Sequence, residues 1–282
     1  MQTLQTQVVV QNLAFPEGPR WHKGRLWFTD QHARAVYAMD EEACLETIAH
    51  TEDLPGGLCW LPDGSTLVVY MTERRLMRIS GSTLTQYADL SQYASFHCND
   101  MVADKQGRVY VGNFGFDLHA GAAVRNAEII LVDTNGKVEI FSNEVVFPNG
   151  SVITPDGQML LVAETFAHRI TAFQLDARGR AHTHSEWANL GAVTPDGICL
   201  DAENALWVAS PGTRQLIRAK QGGEVNAQCK THGTPYACML GGVDRLSLFV
   251  CTSETDSPAD AARLKSGRIE KVRVEVPGIG LP

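Results

Sequence analysis

No stretch of this chain is rich in lysine and arginine, and its formal net charge is −8. Nucleic-acid binding needs a basic stripe, so that partner class is excluded. No apolar run approaches the about 18 residues of a membrane-crossing helix, so no membrane partner is expected. The first residues, Met1-Gln2-Thr3-Leu4-Gln5-Thr6, lack the basic and apolar regions of a secretory leader, and a cytoplasmic location is the default expectation. Helical periodicity is sustained nowhere, which argues against an α-rich fold. The seven cysteines form no Cys-x-x-Cys pair. Cys59, Cys199, Cys238 and Cys251 fall in apolar strand-like segments, where a thiol acts as a small core hydrophobe, so no disulfide is expected. The nine histidines include no His-x-x-x-His pair of zinc spacing. A Gly-x-Ser-x-Gly elbow and a dinucleotide fingerprint are also missing, which removes two common enzyme classes.

What the chain does have is a repeat. Glu17-Gly18-Pro19-Arg20-Trp21 aligns with Gly56-Gly57-Leu58-Cys59-Trp60 and Asn99-Asp100-Met101-Val102-Ala103. The series continues with Asn149-Gly150-Ser151-Val152-Ile153, Asp196-Gly197-Ile198-Cys199-Leu200 and Tyr236-Ala237-Cys238-Met239-Leu240. Successive leads lie 39, 43, 50, 47 and 40 residues apart. A turn follows each lead, as in Pro62-Asp63-Gly64 and Pro155-Asp156-Gly157. An apolar strand comes next, such as Leu26-Trp27-Phe28, Leu67-Val68-Val69 or Leu206-Trp207-Val208, and then a third strand. Short-strand units repeating every 40–50 residues or so mark propeller blades. The reading is a six-bladed β-propeller in one domain spanning 1–282, with blades at about 17–50, 56–88, 99–141, 149–188, 196–226 and 236–274. Residues 7–12 read as a strand, with Val8–Val10 completing the last blade beside Gly267–Val274.

In a propeller the first strand of each blade lines the channel, so the leads form a ring at its mouth. That ring reads Glu17, Gly56, Asn99, Asn149, Asp196, Tyr236. Glu17, Asn149 and Asp196 offer only oxygen, the preference of hard cations. The expected cofactor is one divalent ion, Ca²⁺ first, with Mg²⁺, Mn²⁺ and Zn²⁺ as alternatives. Without it two carboxylates in one mouth repel, and one pKa rises. Glu17 and Asp196 are also the residue types of a glycoside-cleaving pair; Asn149 in their register favours a metal. Asn99 is a fourth ligand or a substrate contact, and Asp100 beside it is placed to orient it. Gly56 either leaves room for substrate or serves only a turn. Insertions at 114–126 and about 253–266 join second to third strands and lie at the mouth.

These motifs resemble the senescence-marker-protein/gluconolactonase family, which includes regucalcin and luciferin-regenerating enzymes. The resemblance rests on Pro16-Glu17-Gly18-Pro19-x-Trp21, Asn99-Asp100, Pro148-Asn149-Gly150 and Pro195-Asp196-Gly197, and it covers nearly the whole chain. It implies a six-bladed propeller with a divalent metal held by Glu17, Asn149 and Asp196, and hydrolysis of sugar lactones. Regucalcin-like lactonases carry an arginine two residues before the asparagine matched by Asn99; here that residue is His97.

The functional expectation is a metal-dependent lactonase, its partner a small-molecule lactone, acting as a monomer or weak homo-oligomer. Asp196 is the first candidate to activate water and His97 the second. Asn99, His97, Phe116 and Tyr236 are expected to contact substrate. His97 and the nearby Phe114, Phe116, Leu118, Phe147 and Phe166 favour less hydroxylated or alkyl-substituted lactones over gluconolactone. Two other readings share the site: a phosphotriesterase, and a non-catalytic metal-binding propeller.

Overall fold

Backbone turns set the architecture. Gly24, Gly64, Gly107 and Gly157 follow the leads with φ between 72° and 90°, a conformation that β-carbons disfavour. Asp63, Asp104, Asp156, Asp201 and Asp244 each accept a hydrogen bond from the backbone two residues on, the local bond that makes aspartate a turn former. Each turn folds a lead strand back against the apolar strand that follows it.

The computed structural model describes residues 2–81 and 83–280. Within them the strands form six sheets that run in chain order from the channel outward, except for the outermost strands of blades five and six. Blade one comprises Pro16–His22, Arg25–Asp30, Ala35–Met39 and Leu45–His50. The inner strands of the other blades are Pro55–Trp60, Cys98–Ala103, Pro148–Ile153, Ile198–Leu200 and Thr234–Gly241. The architecture is a six-bladed β-propeller, as the repeats predict.

Closure uses the N-terminal chain twice. Gln7–Leu13 pairs antiparallel with Gly267–Arg273, with Val8 opposite Glu270, completing blade six as expected. Gln2–Gln5, for which no strand is expected, pairs in parallel with Val225–Lys230 and gives blade five a fifth strand. Between the two strands Thr6 is buried, and its hydroxyl donates to Glu270. Burial pushes the Glu270 carboxyl up, but hydrogen bonds from Thr6, the His232 and Gly233 backbone and Thr252 outweigh it and hold the pKa below the ordinary value.

Apolar faces of adjacent sheets pack together. Leu161, Ala163 and Ile170 of blade four meet Leu206, Val208 and Ile217 of blade five. Val102, Tyr110 and Leu131 of blade three meet Leu160, Val162 and Phe173 of blade four. Each fully buried side chain of this size contributes about 1.5–3 kcal/mol. Trp21 of blade one stacks on Phe249 of blade six, ring centroids 5.6 Å apart, across the seam the N-terminal strands close. All seven cysteines are free thiols, six of them buried.

The 253–266 insertion holds one short helix, Pro258–Leu264, where helical periodicity is too brief to register in the sequence. Residues 277–279 bond to the turns opposite the mouth: Ala202 donates to Pro277 and Gly278 to Arg245.

Candidate active site at the channel mouth

Buried polar groups at the ends of second strands guide the chain into the inner strands. Asp30 accepts from the backbone of Ala14 and Phe15, just before Glu17. Asn113 accepts from Phe96, Glu164 from Val146 and Ser210 from Thr194. Each such bond fixes the segment that delivers a lead residue to the ring. A buried N–H must find a partner, so these acceptors also satisfy an obligation of the fold.

Small residues at the second position let the inner strands close up. A β-carbon on Gly150 would lie 2.6 Å from the Asp196 backbone oxygen, and one on Gly197 2.5 Å from Ala237. Gly56, a lead residue, is packed as tightly. A β-carbon there would lie 2.5 Å from the Asn99 carbonyl oxygen, so this glycine serves strand packing rather than space for substrate.

The asparagines meet directly. Asn99 Nδ2 donates to Asn149 Oδ1 at 3.0 Å, and Asn149 Nδ2 donates to Thr165 Oγ1 at 3.3 Å. Thr165 in turn donates to the Pro195 carbonyl at 2.8 Å, leaving its lone pairs to accept. That chain fixes the Asn149 amide, with its oxygen facing Asn99. Asn99, Asn149 and Asp196 are each 8% exposed, and Glu17 is partly buried. The link of Thr165 to Asn149 depends on sheet register that no local motif encodes.

Both carboxylates are poorly solvated. Burial pushes the Glu17 pKa up to about 7, Asp100 adds to the rise, and the Gly18 N–H and Arg20 oppose it. Asp196 rises well above the ordinary range through burial and the charges of Glu17, Asp100 and Asp256, against a hydrogen bond from the Asn149 side chain. Among the described residues no three His, Cys, Asp or Glu side chains form a metal-ligand group. The mouth instead combines two carboxylates with two amides. This all-oxygen set, whose like charges lack sufficient compensation, fits a hard divalent cation.

Tyr236 completes the ring. It is 8% exposed and meets Phe15 edge-on at 4.7 Å, and Ala261 of the Pro258–Leu264 helix packs against both. Burial and the charges of Asp256, Asp196 and Glu17 raise its phenol pKa, keeping it protonated. The second insertion therefore reaches the mouth, as its position predicts.

Two further predicted contacts lie on the wall formed by the blade-three insertion. His97 is half-buried, stacks on Phe96 at 4.2 Å and lies 6.2 Å from Phe114. Burial lowers its pKa, so it is neutral at pH 7. Among the described residues, no hydrogen bond joins its ring to Glu17, Asn99, Asn149 or Asp196. Phe116 is 3% exposed, wedged between Phe147 at 5.6 Å and Phe166 at 5.7 Å. It backs the wall, while the partly exposed Phe114 and Phe166 carry its open faces. Asp100 departs from its expected role: it binds Arg20 instead of orienting Asn99.

The family model for the SMP-30/Gluconolactonase/LRE-like region matches residues 15–254 of the chain. A pentonolactonase, XacC, of Haloferax volcanii is 26% identical over 266 residues, covering 91% of this chain and 87% of that protein. A 6-deoxy-6-sulfogluconolactonase of Pseudomonas putida is 25% identical over 209 residues, covering 72% and 69%. Among solved structures, regucalcin from Agrobacterium tumefaciens, described as a calcium-binding protein, superposes with a TM-score of 0.82 at 20% identity, covering 100% of this chain and 98% of that one. At that identity the likeness is one of fold.

Proposed function

We propose that this chain, which belongs to the SMP-30/gluconolactonase/LRE-like family, opens a lactone ring by hydrolysis at the channel mouth. The observation that carries the reading is the meeting of Asn99 and Asn149 beside the poorly solvated, mutually repelling Glu17 and Asp196. Lactonases among the relatives support the reaction class. Glu17, Asn149 and Asp196 would hold one divalent ion, Ca²⁺ by donor chemistry, with the free oxygen of Asn99 beside them. Such an ion would supply Lewis-acid polarisation of a lactone carbonyl and positive charge against the developing oxyanion.

The chain's own groups divide the remaining work. Asp196 takes a proton from water on a carboxylate oxygen as the water oxygen bonds to the carbonyl carbon. The ring C–O bond then breaks, and the same proton goes to the departing ring oxygen, giving a hydroxy acid. Asp196 takes precedence over His97 because it stands in the ring, whereas His97 stands on the wall. Thr165 holds the Asn149 amide in the orientation that presents its oxygen. Tyr236, Phe15 and the Pro258–Leu264 helix restrict water on one side.

The wall favours substrates with few hydroxyls. Phe114 and Phe166 present apolar faces, and neutral His97 lacks the fixed charge and donor fork of an arginine. A panel of five- and six-membered lactones, followed with a pH indicator with and without a chelator, tests the proposal. Turnover that chelator abolishes and Ca²⁺ restores is expected, with alkyl-substituted lactones exceeding gluconolactone in kcat/KM. No turnover of any lactone, or turnover indifferent to chelator, contradicts it.

A further inference from the structure

The six aligned leads break their own pattern at two places. At the second position five blades carry glycine or alanine (Gly18, Gly57, Gly150, Gly197, Ala237), and blade three carries Asp100. At the fourth position five carry apolar residues or cysteine (Cys59, Val102, Val152, Cys199, Met239), and blade one carries Arg20. The two exceptions bind each other. Arg20 Nη2 donates to Asp100 Oδ1 at 2.7 Å, and the side chains are 7% and 12% exposed. The same nitrogen donates to the Met101 carbonyl at 2.7 Å, and Nη1 donates to the Pro19 carbonyl at 2.9 Å.

Blades one and three are not neighbours; blade two stands between them. Arg20 therefore reaches past the inner strand of blade two to join its neighbours on either side. Blade two yields the space: a β-carbon on Gly57 would lie 2.4 Å from Asp100 Oδ1. Glu17 lies three residues before Arg20, and Asn99 immediately precedes Asp100. We propose that Arg20 is a positioning residue, a strut across the channel that, through Asp100 and the Met101 carbonyl, fixes Glu17 relative to Asn99 and so sets the width of the mouth. This deepens the reading of the mouth as a metal-dependent site and rests on it.

The test uses Arg20→Met, Asp100→Ala and the double variant, which gives both positions the residue types of blade six, Met239 and Ala237. Either single change leaves a buried charge alone and lowers Tm. The double change removes both charges and returns Tm close to that of the parent protein. Positioning then shows in properties that stability alone does not move. Calorimetry should give a Ca²⁺ affinity about tenfold weaker for the double variant, the scale seen when supporting contacts behind ligands are lost. Hydrogen exchange should quicken in Pro16–His22 and Cys98–Ala103 and stay unchanged in the inner strand of blade five. Parent-like Ca²⁺ affinity, or parent-like exchange in those two strands, overturns the strut. Should the parent protein take up no Ca²⁺, the metal reading fails, and the exchange measurement alone decides the strut.

Discussion

The two ends of the channel are built from the same six strands and have opposite chemistry. At the mouth stand Glu17, Asn99, Asn149, Asp196 and Tyr236. Three or four residues further along, the lining turns mostly apolar, with Ile153, Leu200, Met239 and Leu240 around Arg20, and Gly278-Ile279-Gly280 borders a cavity of about 30 Å³ there. That cavity has room for about one water molecule. The contrast accounts for the raised carboxyl pKa values. Solvation reaches Glu17 and Asp196 from one side only, and the Arg20–Asp100 pair and a largely apolar floor lie behind them. A propeller thus makes a one-ended site by varying residues along each strand rather than by changing the strands.

The largest effect should come from removing what keeps both ends in register. Deleting residues 1–11 strips the added strand from blade five, removes most of the outer strand of blade six and exposes both edges. Insoluble or strongly destabilised protein is expected; an unchanged melting temperature would refute closure by this segment.

A smaller effect concerns charge at the mouth. Folded Glu17 keeps its proton up to about pH 7, against 4.5 ordinarily. The stability this proton confers on metal-free protein is complete below pH 4.5 and is lost as pH rises through 7, and Asp196, whose pKa is also raised, adds a loss of the same sign. His22, His32 and His97, all with lowered pKa, act oppositely, but below their ordinary value of 6.5. Chelated protein should therefore melt lower at pH 8 than at pH 6.5, with a shallower slope in Glu17→Gln; equal slopes would contradict the assignment.

The floor should matter less than the mouth to chemistry. Truncation before Gly278 removes the bond to Arg245 and the packing of Ile279. A Tm loss of about 2–8 °C is expected, matching roughly 1–2 kcal/mol in a domain of this size, with kcat within about twofold. A collapse in kcat at intact Tm would mean the floor takes part in catalysis. The finest contrast lies along the wall. His97→Arg adds a permanent charge and should shift the kcat/KM ratio towards gluconolactone and away from an alkyl γ-lactone. An identical ratio in both proteins would leave His97 without a role in selectivity.

The repeats made the propeller legible, since each blade restates the same turn and apolar strand. Val8-Val9-Val10 revealed the closing strand of blade six. Gln2–Gln5 stayed hidden, because Leu4 is its one apolar residue and its partner strand lies at the far end of the chain. At the mouth, register alone placed Glu17, Asn149 and Asp196 on one ring. It could not place Thr165 against Asn149, or reveal that Asp100 turns away from Asn99, because side-chain partners across blades leave no periodic trace. Gly56 was ambiguous for a related reason: its neighbour, the Asn99 carbonyl, belongs to another blade. Arg20 and Asp100 did leave a signal, as the two residues that break the aligned pattern.

The central claim is that Glu17, Asn149 and Asp196 hold the ion on which hydrolysis depends. Calcium stoichiometry and lactone turnover measured together in the parent protein and in Asp196→Asn test it most directly. The account predicts about one ion per chain in the parent. In the variant it predicts much weaker binding and turnover reduced by about 10²–10⁴-fold, since one change removes both a charge and the base. Full occupancy with undiminished turnover in Asp196→Asn would contradict it.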